Sequence, residues 1–163
     1  MTPMGFEIKT AAALIGLPTP ATWAARREAR QNPVLHAVWQ AFLDRGGPVA
    51  LRGDARDALL ALDAEDLLVV DGDVVPVAYP FTTRPNAFAV EVARGVERYA
   101  CCAIDALGLA PMLGRSVVVR TACHHCGEPF TIDVAPDGPR SMPEAMVWVA
   151  PRDACAGRLA SGL

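Results

Sequence analysis

The stretch Glu97–Gly108, ERYACCAIDALG, decides how the C-terminal half of the chain is read. It sets two thiols, Cys101 and Cys102, and one carboxylate, Asp105, in an otherwise apolar run. Taken as a helix from about Gly95 or Val96 to Leu109, closed by Pro111, it brings side chains three or four positions apart onto one face. Asp105 then neighbours both Cys102 and Cys101, and Tyr99 lies one turn before Cys102. Thiolates prefer soft metals, and a carboxyl group in apolar surroundings tends to hold a proton it can deliver, so the patch suits metal–carbon or metal–thiol chemistry. A bland reading stands beside this one. A buried cysteine is often only a small hydrophobe, and Asp105 could simply accept hydrogen bonds from Arg98 or Arg115. An acid inside an apolar run is costly without a partner or a task, and the residues alone leave both explanations open.

Outward from that helix the pattern turns to strands. Ala87–Val92 alternates as a strand does, after a linker, Tyr79–Asn86, that holds Pro80 and Pro85. Ser116–Arg120, Phe130–Val134 and Met146–Ala150 read as further strands, with Asp137-Gly138-Pro139 as a turn between the last two and a short helix at Asp153–Leu159. This half is therefore a small α+β unit with an antiparallel sheet.

Toward the N-terminus helices are expected at Ile8–Ile15 and Ala21–Arg30. Pro33 opens a stronger one, whose Leu35, Val38, Trp39, Phe42 and Leu43 recur at helical spacing until Gly46-Gly47 stops it. Asp54 is placed to cap a helix over Ala55–Leu62, and another short helix is expected after Asp63. Leu67–Val70 and Val74–Ala78 then form two strands around the turn Asp71-Gly72-Asp73. Helices followed by a hairpin make a winged-helix pattern, so the expected organisation is a winged-helix-like domain over residues 1–80 and an α+β core over residues 81–163. Arg56 on the candidate recognition helix is surrounded by Asp54, Asp57, Asp63, Glu65 and Asp66, which would repel phosphates. A structural or homodimer-forming role is expected there rather than nucleic-acid binding.

Composition sets the outer limits. In 163 residues, 52% hydrophobic and 20% charged, there is enough apolar matter for one good core or two small ones, and a net charge of −3 argues against broad electrostatic binding to nucleic acid. Five cysteines, an odd number, exclude a complete disulfide framework. Reduced thiols and the lack of a convincing signal peptide or membrane-length apolar run predict a cytoplasmic protein with no membrane partner.

A second thiol pair lies between two predicted strands, in Cys123-His124-His125-Cys126-Gly127. Such a turn is half of a zinc knuckle, because its spacing lets two thiolates hold one ion while glycine permits the tight backbone. Zinc normally asks for four ligands, and no second C-x-x-C or H-x-x-H exists. The readings here are a metal-free hairpin, an adventitious or dimer-shared zinc or other metal at Cys123 and Cys126, or a catalytic role.

The chain resembles the organomercurial (alkylmercury) lyases. The resemblance rests on Tyr99, Cys102 followed three residues later by Asp105, the Ala-Ile-Asp-x-Leu run, and Leu113-Gly114-Arg115 leading into a strand. It continues through Cys123 and the Gly127-Glu128-Pro129 turn, covering roughly Tyr79–Pro151 well and the N-terminal part in general pattern, winged helix included. It implies protonolysis of a carbon–mercury bond with no added cofactor. Cys102 would capture the organomercurial, Asp105 would carry the proton to the departing carbon, and Hg(II) would stay on sulfur until cellular thiols remove it. Tyr99 and Cys101 would line the substrate site. The resemblance also implies a second catalytic cysteine beyond the strand at Met146–Ala150, about where this chain stops at Leu163 or just past it, so either the core domain is cropped there or the chain is a shortened relative with altered function, with Cys155 and Cys101 as the substitutes at hand. The competing class is a non-catalytic thiol protein that binds or senses Hg, Zn or Cu.

Overall fold

The computed structural model describes residues 31–142 and 144–147. The helices expected at Ile8–Ile15, Ala21–Arg30 and Asp153–Leu159 lie outside the described residues, as do Cys155 and positions 148–150 of the last expected strand. Among the described residues no helix is long and apolar enough to cross a membrane.

Helix α1, Pro33–Arg45, starts and stops where its sequence says. The Asn32 side chain accepts the Val34 N–H at 2.8 Å, Pro33 occupies the first turn, and Gly46, at φ 70°, ends the helix with its N–H on the Phe42 carbonyl. Its inward stripe is Leu35, Val38 and Phe42. After strand β1, Val49–Ala50, a 3-10 turn at Gly53–Ala55 leads into α2, Arg56–Ala64, which buries Leu59 and Leu62. Asp54 thus falls inside the 3-10 turn, and the helix begins at Arg56, with Ala55 in the cap position and no side-chain cap. No helix follows Asp63; its carboxylate instead accepts the Val70 N–H at 2.9 Å and ties the end of α2 to the next strand. Strands β2, Leu68–Asp71, and β3, Val74–Ala78, form the expected hairpin, with Gly72 at φ 60° in the turn.

The largest correction concerns the stretch quoted first. Val96–Ala100 is not the start of a helix but strand β6, paired with β5, Ala89–Ala93, across the two-residue turn Arg94-Gly95. Helix α3 runs from Ala103 to Leu113, and Cys102 is its N-cap. Pro111 lies inside it, and Gly114, at φ 65°, ends it. AVEVA alternates as a strand does, but VERYA does not; pairing with β5 across a glycine at φ 73° and with the strand Phe81–Thr82 on its other edge holds Val96–Ala100 extended, against the helical spacing of the residues that follow.

Beyond α3, β7 (Val117–Ala122) and β8 (Pro129–Ala135) pair over their whole length, and β9, Gly138–Pro139, folds back on β8 where a simple turn was expected. Met146 and Val147 are exposed and belong to no strand. All strand pairs are antiparallel. With β4, Phe81–Thr82, they make one sheet in the order β1-β3-β4-β6-β5-β7-β8-β9, with β2 also paired to β3. Helix α3 lies against β6, β7, β8 and β9. A single cluster joins Leu35 and Phe42 of α1, Leu59 and Leu62 of α2, Phe81, Val90, Leu109 and Val119.

Candidate active site

The corner between β6 and α3 is built by backbone hydrogen bonds from both sides. Ala100, fully buried, gives its N–H to the Phe88 carbonyl at 3.0 Å, and its own carbonyl accepts the Asn86 side-chain amide at 2.8 Å. Asn86 is itself held by the Phe88 N–H on its side-chain oxygen. The Cys101 N–H reaches the Pro80 carbonyl at 2.9 Å, just after the cis Tyr79-Pro80 peptide. The chain is therefore fixed immediately before Cys102, which is extended at φ −152° and ψ 178° as a helix N-cap requires.

At that position the Cys102 sulfur does a cap's work. It accepts the Asp105 N–H at 3.5 Å, while the thiol donates to Asp105 Oδ2 at 3.1 Å. Asp105, three residues along, stands where a capping-box carboxylate stands, in the first turn of α3, where a negative charge also meets the positive end of the helix dipole. The sequence spacing thus brings Cys102 and Asp105 together through a cap rather than through a shared helix face.

Both side chains are half-buried. Burial first, and then the negative charge of Asp105, push the Cys102 thiol up to about 11, against the pull of the Asp105 and Ile104 N–H groups. At neutral pH the sulfur therefore keeps its proton, with an acceptor in direct contact. Cys101 is only 4% exposed, and its thiol is pushed up further by burial, then by Asp105 and Cys102. Tyr99 lies on β6 rather than on a helix, opposite Thr82 and Ala89 and half-buried. Arg98, considered as a partner for Asp105, instead donates to the carbonyls of Phe42, Leu43 and Glu97. Two hollows in the surface, one around Glu91, Ser116, Asp133 and Arg140 and one around Arg45 and Arg52, are lined by neither Cys102 nor Asp105.

Cys123 and Cys126 sit in the turn joining β7 to β8, where the Cys123 N–H bonds to Glu128 O at 2.9 Å and the Gly127 N–H to Cys123 O at 2.8 Å. Cys123 is half-buried and Cys126 exposed. The backbone N–H groups of Cys126 and His125, and then the Cys126 thiol, favour the charged form of Cys123 and hold its thiol below the ordinary range. Among the described residues no group of three or more His, Cys, Asp or Glu side chains could hold a metal ion, so the zinc reading of this turn finds no completing ligands.

Sequence reasoning missed the contributions of Asn86 and Pro80. Asn86 follows Pro85 in a linker, where an Asn that bonds a nearby backbone group is a common device, but nothing in the sequence pointed it at Ala100.

Comparison with known proteins follows the same residues. The family profile described as MerB, alkylmercury lyase, matches residues 81–163, just over half of the chain. Alkylmercury lyases of Bacillus cereus and Clostridium butyricum are each 38% identical to it over 66 residues, which is 40% of this chain and 29% of theirs. The chain thus spans under a third of the length of the curated relatives it matches. A solved structure titled as the mercury-bound form of MerB2 superposes with a TM-score of 0.55 at 18% identity, over 80% of this chain and 63% of that one. At that identity the likeness is one of fold.

Proposed function

The chain belongs to the alkylmercury lyase family, and from that premise we propose that it cleaves carbon–mercury bonds by protonolysis, with Cys102 as the capturing ligand and Asp105 as the proton carrier. The single observation that supports these roles is the 3.1 Å contact between the Cys102 thiol and Asp105 Oδ2.

The organomercurial, carried in as the adduct of a cellular thiol, meets Cys102 in its protonated form. As the sulfur–mercury bond forms, the thiol proton passes to the Asp105 carboxylate and the carrier thiolate leaves. A second thiol then adds its sulfur to mercury and gives up its proton to the departed thiolate. Electron density from the two sulfurs weakens the carbon–mercury bond, whose electron pair goes to carbon as Asp105 returns the proton there. Hydrocarbon leaves, and Hg(II) remains on two sulfurs until cellular thiols exchange it away. Among the residues of this chain, Cys101 and Cys155 are the thiols at hand for the second sulfur, and Tyr99 borders the substrate. Cys101 must move out of its buried position to serve, which favours Cys155 as the first of the two to replace.

The expected division of the chain enters here as a proposal about labour. Residues 81–163 carry the chemistry, and the match that begins at position 81 supports this. The helices and hairpin before residue 80, ordered as α1, β1, α2, β2 and β3, act as a winged-helix-like support, in the cytoplasm and without a nucleic-acid partner.

Incubation with phenylmercury and excess thiol tests the reading. Benzene is released by the natural chain and by neither Cys102→Ser nor Asp105→Ala; release undiminished by either change rejects the assigned roles. The competing reading, a thiol protein that only holds metal, draws on the exposed pair at Cys123 and Cys126 and predicts metal uptake with no hydrocarbon.

A further inference from the structure

The turn between β7 and β8 carries chemistry that the lyase mechanism leaves unused. We propose that Cys123 and Cys126 form a two-sulfur site for a thiophilic cation that is content with two ligands, and that its natural occupant is Hg(II) released at Cys102. Only the naming of Hg(II) as the natural ion rests on the lyase reading.

Three observations carry it. Both thiols are free and reachable, Cys126 being exposed and Cys123 half-buried, unlike Cys101. The turn is held from within by the two backbone bonds between Cys123 and residues 127 and 128, and Gly127, at φ 74°, supplies the left-handed backbone that closes it. With only two residues between them, in a turn whose ends those bonds join, Cys123 and Cys126 stand on one tight loop, the spacing at which two cysteines hold a single ion. Thiolates select soft ions, and among the described residues no third ligand completes a tetrahedron. Zinc, which needs four, is therefore disfavoured relative to an ion satisfied by two sulfurs. Loading releases the two thiol protons and oxidises nothing: two sulfur–metal bonds form, and the ion's two previous thiolate ligands leave with those protons.

The test uses mercuric chloride and the full chain with Cys101, Cys102 and Cys155 all changed to Ser, so that only the turn can bind and no lyase activity is involved. One equivalent of Hg(II) is expected to survive washing with a monothiol, with sulfur-to-mercury charge-transfer absorption in the ultraviolet. Adding Cys126→Ser, at an exposed position, removes the intramolecular second sulfur and is expected to weaken retention roughly 100-fold or more; Cys123→Ser gives the same loss by the other ligand. Zn(II) alone is expected to be lost in the same wash. No retained mercury, retention unaffected by Cys126→Ser, zinc held as firmly as mercury, or a pair that closes into a disulfide and takes no metal would each overturn the proposal. Because no organomercurial is used, this result is independent of whether benzene is released in the experiment above.

Discussion

Position 102 answers to two demands under the proposed mechanism, since its sulfur holds the first turn of α3 and would also have to be available to a soft ligand. Cysteine is a weaker cap than serine, whose oxygen is among the preferred acceptors for the N–H groups at a helix start. Cys102→Ser is therefore expected to leave thermal stability unchanged or slightly raised while it removes the soft ligand, which separates loss of activity from loss of fold. The proton on that sulfur has its own signature. The Cys102 thiol is raised by burial and by the Asp105 charge to about 11, from an ordinary value of 9.0. Alkylation of Cys102 by iodoacetamide, followed by peptide mass, should accordingly show its midpoint near the higher figure. In Asp105→Asn the charge is gone while burial and the opposing backbone N–H groups stay, so the midpoint moves down; a midpoint that stays put would mean that the Asp105 charge does not act on this sulfur. The sign for stability follows. An unfolded thiol loses its proton first, so folded protein is favoured by the bound proton below about 9 and loses that contribution as pH climbs through about 11.

Among the elements, β6 does more than lead the chain to Cys102. Its Arg98 donates to the Phe42 carbonyl at 2.6 Å and to that of Leu43, which caps the C-terminal end of α1 with a cation where the helix dipole is negative. Arg98→Ala is expected to lower stability by about 2 kcal/mol, the usual loss for hydrogen bonds to a charged group, read from the urea midpoint. Arg98→Lys should recover only part of this, since an ammonium cannot reproduce the fork. The sequence made α1 and the β2–β3 hairpin legible because local signals suffice for both: Pro33 and Gly46 bracket one, and Gly72 turns the other. The start of α3 was not legible, because Val96–Ala100 is a strand only by virtue of β5 and β4 on either side, and pairing of that kind is not written in any single window. The closeness of Cys102 and Asp105 survives the error, since a separation of three puts them together both on a helix face and in a cap. What could not be read was the support from Asn86 and Pro80, which are distant in sequence and recognisable only once the sheet exists.

On the scale of the whole molecule, the sheet runs without a break from β3 through β4 to β6, crossing the point at residue 81 where the family match begins. Phe81, 1% exposed, pairs with Ala78 on one side and Ala100 on the other. The part that carries the proposed chemistry thus shares its core with the part that precedes it. A gene fragment cut to residues 81–163 would present the bare flank of β4 and an uncovered Phe81 to the medium. Such a fragment should collect in inclusion bodies, while the complete chain stays in the supernatant; a well-dispersed, folded fragment would contradict this. Anyone wishing to graft the cysteine–aspartate corner into another scaffold would have to transplant its neighbour as well.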